Sequence, residues 1–131
     1  MKAGRGLFLF GDNDNFYYET NLILGKYFND MYMRGNYDGK QIITKSNDNF
    51  VNDKKGKFNP NHPVFTNTID LYEGHTISTI FNIHSDFVTI AHNTNNEPMI
   101  LFAEANEHHG RIIIDAGYTK LFDEYWNSAG T

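Results

Sequence analysis

The chain contains no cysteine, which excludes disulfides, thiolate metal ligands and every thiol nucleophile. It has no long apolar run. The longest, "LFLF" at residues 7–10 and "MILFA" at 99–103, fall far short of a bilayer-spanning segment, so no membrane is expected as a partner. No basic stretch followed by a long apolar one opens the sequence, so no signal peptide is expected and the cytoplasm is the default compartment. Positive charge is scarce: 11 Lys and Arg stand against 16 Asp and Glu, a formal net charge of -5. The cations are scattered and form no phosphate-tracking face, which argues against nucleic acid. GxSxG, GxGxxG and Walker patterns are missing. The six histidines show neither HxH nor HxxxH spacing.

What is present is a folding composition. With 131 residues, 40% hydrophobic and 15% aromatic, the chain is expected to form one domain with one sizeable core. Residues 7–10 are apolar without alternation, the pattern of a strand covered on both faces in a parallel sheet. Leu24, Phe28 and Met31 follow at i, i+4, i+7 and predict an amphipathic helix over roughly 16–32, with Asp14 or Asn15 as N-cap and Glu19 in the first turn. Gly35 and Gly39 punctuate its end. A short strand is expected at "QIIT", 41–44, and an exposed polar loop over 45–63. Beyond it the pattern becomes β: "TIDLY", "HTISTIF", "FVTIAH", "PMILFAEA" and "RIIID", with "NTNNEP" as a hairpin turn. "LFDEYW" is expected to begin a final helix. The fold class this suggests is α/β with a β-rich second half.

Two stretches carry candidate chemistry. In "GDNDN", residues 11–15, Asp12 and Asp14 offer oxygen ligands two positions apart for a hard cation. An EF-hand fails at Phe16, Tyr17 and Ile23. The same residues also suit a turn with a helix cap, and both readings stand. In "IIIDAGYTKLF", residues 112–122, Asp115 ends an apolar strand and Gly117 allows a tight turn before Tyr118 and Thr119. Asp115 can equally cap the helix that follows. On one sheet edge the two stretches would form an acidic pocket walled by Tyr17 and Tyr118. Among the histidines, His84 lies nearest a strand end, with Asp86 beside it.

"GRGLFLFGDND", "HPVFTNTIDLYEGHTIST", "GRIIIDAGYTKLF" and "WNSAGT", in that order, resemble the C-terminal half of class I glutamine amidotransferase-like domains. The similarity is to the noncatalytic and uncharacterised branch that includes trehalose-utilisation-like proteins. The resemblance implies a partial flavodoxin-like sheet, incomplete at both ends, whose missing strands belong to another chain or to the rest of a larger polypeptide. Catalytic members place a cysteine where this chain has Gly11-Asp12-Asn13-Asp14, and a histidine and glutamate where it has Ala116-Gly117-Tyr118-Thr119. Glutamine hydrolysis by the family mechanism is therefore excluded.

The expectation is a noncatalytic binding or interaction module without a cofactor. Its candidate ligand-binding residues are Asp12, Asn13, Asp14, Tyr17, Asp115, Tyr118 and Thr119, and its partner is another protein chain, with a small polar ligand as a further candidate. Two rival readings are kept. One is a metal-dependent hydrolase holding a divalent cation with Asp12, Asp14, His84 and Asp115. The other is a structural subunit completed by a partner chain.

Overall fold

The computed structural model describes residues 5–47 and 50–126. Strand makes up 34% of it and helix 17%, so sheet dominates. Among the described residues nine strands are present: β1 (Leu7–Phe10), β2 (Tyr32–Asp38), β3 (Ile42–Lys45), β4 (Lys57–Phe58), β5 (Asp70–Tyr72), β6 (Thr76–Phe81), β7 (Val88–His92), β8 (Pro98–Ala103) and β9 (Ile112–Asp115). Helix α1 spans Tyr18–Tyr27 and the short α2 spans Asp123–Trp126. Two 3-10 turns, Pro63–Phe65 and Tyr118–Leu121, complete the elements. Among the described residues no helix is long and apolar enough to cross a membrane.

Seven strands form one curled, mixed sheet in the order β1-β9-β8-β7-β4-β3-β5, and β2 pairs with β6 as a separate antiparallel ribbon. Among the described residues only β1–β9 and β3–β4 are parallel. This corrects the α/β, flavodoxin-like expectation, which requires a mainly parallel sheet with helices on both faces. The error lies chiefly in residues 28–38. Asn29 and Asp30 adopt left-handed φ of 51° and 61°, which reverses the chain directly after α1 and makes Tyr32–Asp38 a strand. Leu24, Phe28 and Met31 are buried as their spacing suggested, but Phe28 and Met31 reach the core from the turn. Residues 1–4 and 127–131, which bear on the expected incompleteness at both ends, lie outside the described residues.

The hydrophobic strands from Thr68 onward form where their patterns place them, and "NTNNEP" does join the antiparallel pair β7–β8. Within the 45–63 stretch, β4 pairs with both β3 and β7, and the Phe58 ring is fully buried. His62 is extended, at φ -82° and ψ 131°, and its Nδ1 accepts from the Val64 N–H at 3.3 Å. This caps the 3-10 turn that Pro63 begins.

The sheet has a core on each face. Leu9, Leu101, Ala103, Ile112 and Ile114 join Leu24 of α1 and Met33 and Ile80 of the ribbon in the first. Ile100 and Phe102 of the alternating positions join Ile43, Phe58 and Phe65 in the second. Because "RIIID" serves both faces, its apolar run is continuous. Asn21 fastens α1 to the ribbon, its amide donating to Met33 O at 2.9 Å and its Oδ1 accepting from Met33 N at 2.6 Å.

Candidate functional site

The carboxyl ends of β1 and β9 lie side by side, and the chain leaving β5 returns beside them. Asp115, the last residue of β9, is buried. Its Oδ1 accepts from the Gly117 N–H at 3.0 Å and from Lys120 Nζ at 2.6 Å. The Lys120 and Asp115 side chains are 5% and 6% exposed, so the pair is a desolvated ion pair. Glu73, fully buried just after β5, accepts from the Thr94 N–H at 3.1 Å and from the Thr94 hydroxyl. Burial raises the Glu73 carboxyl above the usual carboxylate range, against the pull of the Thr94 bonds and of Lys120. Gly117 lets the strands close here, since a Cβ on it would run into the Glu73 carbonyl oxygen.

Asp12 follows β1 and is 1% exposed, with its Oδ1 buried and unpartnered. Burial pushes its carboxyl up to about 6, and the charge of Asp115 adds to the rise; the Asn13 N–H, Lys120 and the Thr119 hydroxyl oppose it. A lone lysine thus sits among Asp12, Asp115 and Glu73. The neighbouring polar atoms are bonded into the fold. Asn13 Oδ1 accepts from the Thr76 hydroxyl at 2.9 Å, and Thr119 Oγ1 accepts from the His75 N–H at 2.7 Å.

Four expected site residues, Asp12, Asn13, Asp115 and Thr119, are therefore brought together. The others are not. Asp14 is exposed and accepts from its neighbour Asn15 N–H at 2.9 Å and from the Tyr17 hydroxyl at 3.2 Å. The Tyr17 ring is buried in the first core with its hydroxyl reaching back to Asp14 of the acidic turn, and the Tyr118 ring packs on Phe10. Neither Asp14 nor Asn15 caps α1, whose N-cap is Tyr17 without a side-chain bond. Asn15 holds a left-handed φ of 75° in the preceding turn.

His84 lies at the opposite end of the sheet. There Asp86 Oδ2 meets His109 Nε2 at 3.0 Å, and His84 Nδ1 accepts from the Asp86 N–H at 3.2 Å. The bond from His109, then the nearby His84, holds the Asp86 carboxyl below its usual range. The sequence puts His109 before β9 and Asp115 at its end, so the quartet Asp12, Asp14, His84 and Asp115 does not converge on one ion. Among the described residues no group of three or more His, Asp or Glu side chains is gathered to hold a metal.

Glu73 and Lys120 escaped sequence reasoning. "YEGH" reads as a plain turn, and Lys120 lies five positions from the carboxylate it neutralises. A second feature was also missed. Phe8 and Phe10 point to the outer face of β1, 44% and 47% exposed, and begin a run of touching rings. Ring centroids lie 5.6 Å apart for Phe8–Phe10, 5.5 Å for Phe10–Tyr118 and 5.5 Å for Tyr118–Phe122. The 118–122 turn that carries half of this run is anchored at the polar cluster by Lys120 and by the Tyr118 N–H, which donates to Gly11 O at 3.1 Å. In comparisons with known proteins, no family model, curated protein or solved structure matches the chain.

Proposed function

We propose that the chain is a noncatalytic interaction module that receives a polypeptide partner along the outer side of β1. The observation that carries this reading is the aromatic run that begins with the exposed Phe8 and Phe10 on the edge strand β1 and continues over the 118–122 turn through the half-buried Tyr118 to the exposed Phe122. Isolated apolar residues on a surface are ordinary, but a contiguous aromatic run on an open edge marks an interaction surface. β1 has the composition of an interior strand, with Leu9 in the first core and Phe8 and Phe10 on the other face. Continuous apolar strands of this kind belong in sheets covered on both faces.

The polar cluster supports the same reading. Its lysine is held by Asp115, and its hydroxyls are engaged by Asn13, by Glu73 and by the His75 N–H. Its role is to set the turn that carries Tyr118 and Phe122. The orphaned Oδ1 of Asp12 favours a second reading, in which the cluster takes a small polar ligand.

A photo-reactive phenylalanine analogue placed at Phe10 tests the interaction reading in extracts of the source cells. Irradiation is expected to give a covalent adduct to a polypeptide, with none from the same group at Tyr27, which is 59% exposed on α1. Equal labelling at both positions, or none at either, would refute it.

A further inference from the structure

We propose that the occupant of the β1 edge is a second copy of this chain, added antiparallel so that the two seven-stranded sheets become one. This rests on the interaction reading above and specifies its partner. In the parallel pair with β9, Leu7, Leu9 and Gly11 direct their backbone groups inward, as the bonds from Leu7 N to Arg111 O at 2.8 Å and from Gly11 N to Asp115 O at 2.9 Å show. The backbone groups of Gly6, Phe8 and Phe10 therefore face outward. Among the described residues only the Phe10 carbonyl is taken, by the Thr20 hydroxyl at 2.5 Å. A cleft of about 570 Å³ runs along this edge, walled by Asn15, Phe16 and Glu19.

An antiparallel pair needs residues on the two strands whose N–H and C=O both face across. With the two-fold axis at Phe8, the Phe8 N–H and C=O of each copy bond those of the other. The Phe10 N–H of each copy then meets the Gly6 C=O of the other, and the Gly6 N–H returns to the Phe10 carbonyl, which takes it on its second lone pair beside the Thr20 hydroxyl. The side chains agree with this register. Phe10 lies over Gly6 of the second copy, where no side chain opposes it, an aromatic covering a strand glycine. Phe8 packs against Phe8 across the axis, a favourable cross-strand aromatic pair. Charge agrees as well. The register carries Arg5, exposed at the start of β1, to the end of the other strand, where Asp14 and Glu19 are exposed. A two-fold axis makes that attraction twice.

Sedimentation equilibrium of the full chain, 15.1 kDa as a monomer, is the test. The expected result is a concentration-dependent dimer. Phe8→Lys should weaken it roughly 30-fold or more, as expected for loss of a central aromatic anchor. Arg5→Glu should weaken it by roughly tenfold, through like charges at the ends of the paired strands, and Glu19→Arg added to Arg5→Glu should restore it. The charge exchange touches only exposed side chains, so it reports on pairing even where Phe8→Lys fails to fold. A dimer indifferent to the charge exchange overturns the register. A monomer at all concentrations overturns the second copy as occupant; if the Phe10 photo-adduct then contains a different polypeptide, the interaction reading survives without self-pairing.

Discussion

Lys120→Met is expected to lower the unfolding free energy by about 3–5 kcal/mol, the usual loss when one partner of a buried ion pair is removed. The methionine fills similar space, so the loss is electrostatic. Lys120 lies 2.6 Å from Asp115 Oδ1 with both side chains buried, and its charge also opposes the rise of the Asp12 and Glu73 carboxyls. Without it, the Asp12 and Glu73 carboxyls rise further, and folding must draw protons onto them. The loss should therefore be greater at pH 8 than at pH 5. Urea unfolding at both pH values measures it. A loss of under ~1 kcal/mol at both, within the range of a surface pair, would show that the cluster is hydrated and does not hold the 118–122 turn.

The second large effect concerns Asp12. Its carboxyl is raised from 3.8 to about 6, first by burial, so the folded chain binds this proton more tightly than the unfolded one. The stabilisation is complete below the unfolded value and is lost as pH rises through about 6. Each pKa unit is worth about 1.4 kcal/mol, and at pH 4 the unfolded carboxyl is already more than half ionised, so this group should make the fold about 2 kcal/mol less stable at pH 8 than at pH 4. Glu73, raised for the same reason, acts in the same direction. Asp12→Asn cannot ionise, so the variant should show a flatter stability profile between pH 4 and pH 8 and exceed the parent at the alkaline end. Equal slopes for variant and parent would mean that Asp12 is not desolvated in the folded state.

The strands were legible where local pattern decides them. "PMILFAEA" and "RIIID" are too apolar to lie outside a core, and both supply strands to it. Their arrangement was not legible, because strand order depends on pairings between distant residues. β1 pairs with β9 across more than a hundred positions, and no local spacing announces that. β2 was hidden because "YMRGNYD" contains a glycine and charged residues. It forms as one side of a two-stranded ribbon, where Met33 is buried and Arg34 is exposed. β4 is two residues long and is held by its neighbours on both sides, not by its own propensity.

Site legibility divides in the same way. Asp12 and Asp115 could be found because each stands at the end of a recognisable apolar strand, and strand ends in sheets are where polar groups collect. Asp14 offered the same chemistry two residues on, yet the left-handed turn at Asn15 turns it to solvent. Glu73 and Lys120 lay in ordinary turns, and only the close approach of Gly117 to the Glu73 backbone reveals why they are buried together. The aromatic run was in plain sight as "LFLF", but its exposure becomes visible only once β1 is known to be an edge strand.

Amide hydrogen exchange resolved at β1 tests the interaction account most directly. In dilute monomer the inward Leu9 amide should be protected, while the outward amides of Phe8 and Phe10 exchange at nearly open-chain rates. Upon association, whether with a second copy or another polypeptide, the Phe8 and Phe10 amides should slow by orders of magnitude, as the N–H groups of a paired strand do. Protection at Phe8 and Phe10 in the monomer, or continued fast exchange in the associated state, would contradict the account.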